Sequence, residues 1–208
     1  MVKNIARPRG RPRSFDEAEA LARATKVFLA KGYDGATIDD LVEGMGVRRP
    51  SLYAIFGDKA DLFMKCLEDY GNQLGTLAAR ALLSPPDVQG AIRGLLRFSV
   101  ENATAEGSPV GCLIVCVAPL VDDDRVRLYL LRMTNQATKA VEQRLQKGID
   151  TGELPPDFPV ELRARQTLDL SRGLTIRARI GASREELLAD ADEAASLILP
   201  NRLAQKEL

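Results

Sequence analysis

The sequence predicts an all-α chain of about nine helices, and three observations predict it. Apolar residues recur every three or four positions along most of the 208 residues, and no alternating strand pattern competes. Helix-start signals, Ser or Thr followed three residues later by an acid, stand at Ser14-Phe15-Asp16-Glu17, Thr37-Ile38-Asp39-Asp40 and Ser183-Arg184-Glu185-Glu186. Helix stops separate the periodic runs: Gly32, Gly46, Gly57, Pro85-Pro86, Pro155-Pro156 and Gly181.

Taken in order, Ser14 as N-cap starts a first helix over about Phe15 to Lys31, with Ala18, Leu21 and Phe28 on its apolar face. Thr37 caps a short second helix whose stripe is Ile38, Leu41, Val42 and Met45. Gly46 turns the chain, and a third short helix begins near Pro50 with Leu52, Ile55 and Phe56 buried. Two short helices about a tight glycine turn form a helix-turn-helix, whose second helix enters the DNA major groove. Further helices are expected over 59–83, 87–103, 122–149, 160–180 and from Ser183 to Pro200, with a short buried apolar segment over 110–120. The chain divides into a basic arm (1–13), a helix-turn-helix domain (14–74) and a further helical domain (75–208).

Composition narrows the function. The chain has no His, which excludes Ser-His-Asp and Cys-His triads and His-containing zinc sites, so it is read as a non-enzyme without cofactor or metal. No apolar run is long enough for a membrane span, and the first residues lack the apolar core of a signal peptide. The expectation is a cytoplasmic protein with no membrane partner, whose Cys66, Cys112 and Cys116 are reduced.

The charge is uneven although the net is zero. Residues 1–13 hold five basic residues and no acid. That is either a solvated terminus or a tail for a polyanion. In Pro8-Arg9-Gly10-Arg11-Pro12 a glycine keeps the strand thin and the prolines hold it extended, which suits a minor groove. This string resembles the core of the AT-hook, with Arg9 and Arg11 as groove-reading residues.

Arg48, Arg49, Pro50 and Ser51 open the recognition helix, where side chains face base edges. The strings KGYDGATIDDLVEGMGVRRPSLYAIFGDKADLF and RGRPRSF resemble the DNA-binding domain of the TetR family of bacterial transcription regulators, from Phe15 to Tyr70. The resemblance implies phosphate contacts by Thr37, Tyr53 and Lys59, and base contacts by Arg48, Arg49 and Ser51. It also matches Gly32 and Tyr33 to the family's helix end. Arg48 stands where the family usually has a capping Ser or Thr, so this helix needs another solution to its N-terminus.

For residues 75–208 the resemblance implies a regulatory and dimerisation domain with a small-molecule effector, and a homodimer on a palindromic double-stranded operator. Phe98, Cys112, Cys116, Leu128, Met133 and Leu174 are candidate pocket residues, with plain core as the alternative. Cys112 and Cys116 lie in GCLIVC, which looks like a segment of a TetR subgroup, some members of which sense electrophiles or oxidants through a cysteine there. A Cys112 of lowered pKa near a helix N-terminus is one reading, and two buried hydrophobes the other. Gly173, Leu188, Ala191, Ala195 and Ile198 are candidate dimer-interface residues on the last two helices. The functional expectation is a ligand-released repressor. The alternatives are an arm-driven architectural DNA binder and a regulator triggered by cysteine modification.

Overall fold

Side-chain caps set most of the helix starts. The computed structural model describes residues 16–199. Among these are eight α-helices, one π-helical and one 3-10 turn, and no strand. Helix α1 (Glu17–Gly35) starts at Asp16, whose carboxylate accepts from Glu19 N at 3.2 Å. The cap is therefore Asp16 and not Ser14, which lies outside the described residues. At Gly32 the backbone leaves helical angles (φ 75°, ψ 171°), as the expected stop requires, and one more turn follows.

Helix α2 (Ile38–Met45) has the full capping box. Thr37 Oγ1 accepts from Asp40 N at 3.1 Å, and Asp40 Oδ2 accepts from Thr37 N at 3.0 Å. Gly46 then takes a left-handed conformation (φ 69°) that a side chain would strain. Helix α3 (Arg49–Phe56) follows with no side-chain cap at Arg48. Pro50 in its first turn has no N–H to satisfy, which lessens that need. Helix α4 (Lys59–Leu83) has a second capping box, Asp58 with Asp61, and runs unbroken across the 74/75 division.

Helices α5 (Val88–Ala103), α6 (Asp124–Asp150), α7 (Val160–Arg179) and α8 (Arg184–Ile198) complete the chain, with Asp87, Asp123 and Ser183 capping α5, α6 and α8. Between α5 and α6 the apolar segment forms a π turn (Leu113–Val117) and a 3-10 turn (Ala118–Leu120).

Two cores result. The first joins α1–α3 and the start of α4 around Phe28, Leu52, Phe56 and Phe63, all buried. Phe28 and Tyr33 each lie 5.0 Å from the Phe63 ring, both edge-on. This core also takes Leu113, Val117, Val126 and Tyr129 from later in the chain. The second core packs α5 against α7 and α8 around Ile92, Leu96, Leu145 and Leu187. At Gly71 the first half of α4 meets α6 so closely that an added Cβ would fall 2.0 Å from Tyr129 Oη.

Candidate nucleic-acid interface and regulatory cavity

Helix α3 is anchored by an i, i+4 pair. Leu52 and Phe56 are fully buried, and Lys65 Nζ donates to the last-turn carbonyl of Ile55 at 2.8 Å. The Ile55 side chain, expected in the core, is exposed, because so short a helix turns only the Leu52–Phe56 edge inward. The opposite edge carries Arg48 and Arg49, both exposed, with Ser51 half-buried beside them. Tyr53 follows at 47% exposure.

Arg49 is not idle. Its Nη2 lies 2.6 Å from Asp39 Oδ1 at the start of α2. Asp39 was legible only as a helix-terminal acid, and its pairing ties α2 to the reading edge of α3. Asp40 is held at about 2, well below the usual carboxylate range, first by the Lys31 ammonium 2.6 Å away and then by Thr37. Thr37 is exposed at the N-terminus of α2. Lys59 sits half-buried, its ammonium 4.6 Å over the Tyr33 ring and 3.5 Å from Asp34 O. That contact explains why Tyr33 follows Gly32: it shelves the lysine at the start of α4. Arg9 and Arg11 lie outside the described residues.

The family model for bacterial regulatory proteins of the tetR family matches residues 20–66. A cysteine-substituted form of the TetR family transcriptional regulator CifR, solved with 26-base-pair double-strand operator DNA, is 36% identical, with a TM-score of 0.81 over 92% of this chain and 100% of that one. This chain belongs to the TetR family. A TetR regulator of Rhodococcus sp. RHA1 is 34% identical over 89% of this chain and 100% of that chain (TM-score 0.61). The transcriptional repressor ComR of Escherichia coli (strain K12) is 29% identical, covering 88% of this chain and 89% of the repressor. This TetR-family chain is accordingly a DNA-binding transcriptional regulator.

Its regulatory half holds a cavity of about 330 Å³ between α4, α5, α6 and α7. Phe98 and Cys112 line it, as expected. The other pocket candidates do not. Leu128 is exposed because it lies on the outer face of α6, and Leu174 is buried in the second core. Met133 and Cys116 pack against the first core. Missed by sequence were Ser99, Asn102, Gln136 and Ser171, which bring polar groups to the wall. The available signal was Ser99 and Asn102 at helical spacing from Leu95 on the inner face of α5.

Of the two cysteine readings, burial favours the small hydrophobe for Cys112 over the reactive thiol. Cys112 stands at the N-cap position of the π turn without a side-chain cap bond, and the nearby Tyr70 hydroxyl and the Ile114 and Val115 N–H donors favour its thiolate. Burial nevertheless outweighs these donors and raises its pKa, instead of the lowering expected for a reactive thiol. Burial also pushes the Cys66 thiol up to about 12.

Four of the candidate interface residues turn inward. Ala191, Ala195 and Ile198 are buried in the chain's own core, and Leu188 packs on that core. The alanine stripe brings α8 close to α5 within one chain, which corrects its assignment to a partner. Gly173 stays exposed, with open space where a Cβ would stand. Leu162, Leu170, Ile176 and Ile180 of α7 and Leu197 of α8 are exposed as well. No described helix is long and apolar enough to cross a membrane.

Proposed function

We propose that this chain is a homodimeric repressor that holds a palindromic operator until a small molecule fills the regulatory cavity. The carrying observation is the exposed edge of α3: Arg48, Arg49, Ser51 and Tyr53 project from a helix clamped behind by Leu52 and Phe56. Two such helices related by two-fold symmetry meet successive major grooves. Arg49 exchanges Asp39 for a guanine edge, and Thr37, Tyr53 and Lys59 grip phosphates. Arg9 and Arg11 add a minor-groove contact. The exposed apolar positions of α7, with Gly173 among them and Leu197 beside them, form the face that a second copy covers. The chain works in the bacterial cytoplasm, on the nucleoid.

The π turn couples the two halves. Leu113 and Val117 sit in the core of the DNA-reading head, while Cys112 and Val115 line the cavity. An occupant that displaces this turn favours one head spacing over another, which is what a ligand needs in order to shift the equilibrium. The buried, raised-pKa Cys112 supports a reversible ligand in preference to thiol modification.

The test is selection of the purified chain against fragmented DNA of its own genome at about 0.15 M salt. The expected result is a sharply enriched two-fold symmetric site. Broad AT-rich enrichment without a dyad overturns the reading and favours an arm-driven architectural binder.

A further inference from the structure

The cavity that holds Cys112 has a wall with a definite chemistry. Its lining includes Leu74, Leu95, Phe98 and Val141, and no lining residue is Asp, Glu, Lys or Arg. An ion entering such a site loses its water and finds no counter-charge. Several polar groups on the wall are already committed. Ser99 Oγ gives its one proton to Leu95 O at 3.0 Å, so Ser171 must be the donor in the 2.7 Å hydroxyl pair. Thr175 donates to Ser171 O at 3.0 Å.

Asn102 is different. Its Nδ2 donates to Tyr70 Oη at 2.9 Å. This bond orients the carboxamide and leaves its Oδ1 and second N–H proton without a partner among the described residues. The Gln136 carboxamide, exposed at the cavity's edge, likewise has none. The wall groups that keep both a free donor and a free acceptor are thus two neutral carboxamides.

We infer that the cavity takes an uncharged, mainly apolar molecule with one neutral hydrogen-bonding head, such as a carboxamide or hydroxyl, paired with Asn102. The volume equals about eleven liquid waters, which limits the occupant to roughly ten non-hydrogen atoms. This rests on the reading of the cavity as the effector site.

The experiment titrates the full chain with octanamide, 1-octanol, octanoate and octylammonium at neutral pH by calorimetry. Retention of the selected operator is followed in the same samples. Octanamide and 1-octanol should bind at least tenfold more tightly than either ion. Asn102→Leu should weaken octanamide about tenfold, the loss of one good hydrogen-bond pair. Gln136→Glu changes an exposed position, spares the fold, and should raise octylammonium affinity at least tenfold. Octanoate or octylammonium binding the unaltered chain as tightly as octanamide overturns the inference, as does failure of both neutral probes to bind. Preference for octanoate with operator release removes the neutral class and leaves the effector reading standing. Octanamide binding with operator retention unchanged does the reverse.

Discussion

The DNA-reading head and the regulatory half use the same helix caps but are filled differently. The head centres on large rings: Phe28, Phe56 and Phe63 are each almost wholly excluded from solvent. The regulatory half puts small residues where its helices converge, with Gly75, Ala78, Ala79, Ala137 and Ala140 around an open cavity. At Gly75 an added Cβ would meet nothing within 4 Å. A close-packed interior transmits displacement as a body, whereas an unfilled one has room for a ligand. One helical chain thus contains both a tightly packed head and a half with open space among its helices.

The largest expected effect lies in the head. Phe63→Ala should cost about 3–5 kcal/mol of unfolding free energy, read by urea denaturation. A loss below 1 kcal/mol would mean that the rings are not tightly packed. Next comes a matched pair of enlargements. Ala24→Leu, at a fully buried position in the head, should cost about 1–3 kcal/mol. Ala137→Leu, facing the cavity, should cost less than about 1 kcal/mol on the same curves. Equal costs would break the contrast between filled and unfilled halves.

Capping sharpens it further. Thr37→Ala and Ser183→Ala each remove an N-cap acceptor and should each cost about 1 kcal/mol. Only Thr37→Ala should also weaken DNA binding in anisotropy titrations, because Ser183 lies in the regulatory half. The smallest effect is pH-dependent. Asp40 is depressed from its ordinary 3.8 to about 2, so its ion pair and cap stabilise the fold fully above the ordinary value. That contribution is lost as pH falls from 3.8 towards 2, and Asp40→Asn should flatten the acid limb of a thermal-melt series over that window.

Much of this was legible because local chemistry dictated it. The α4 bounds and the starts of α2, α5 and α8 follow from caps and stops that act within four residues. The start of α1 was misplaced because Ser14 and Asp16 offer competing acceptors two residues apart, and only the backbone shows which one accepts. Surface position was legible, as in the exposure of Arg48, Arg49 and Tyr53. It was less so where tertiary contact decides. Helical period put Ala191, Ala195 and Ile198 on one face, but it carries no information on whether α5 or a second copy meets that face. Helix-end chemistry argued for a lowered Cys112 pKa, and burial from distant segments reversed the sign. The Asp39–Arg49 pair spans ten positions and two helices, beyond any pattern within one helix.

Whether the exposed edge of α3 reads sequence is tested most directly by a position-by-position binding matrix on the selected site. Every single-base variant is measured with the unaltered chain and with Arg49→Ala. The predicted result is a loss of preference of about 1–3 kcal/mol confined to one symmetric pair of base pairs, with other positions unchanged. A uniform weakening at every position, or no change at all, would contradict it.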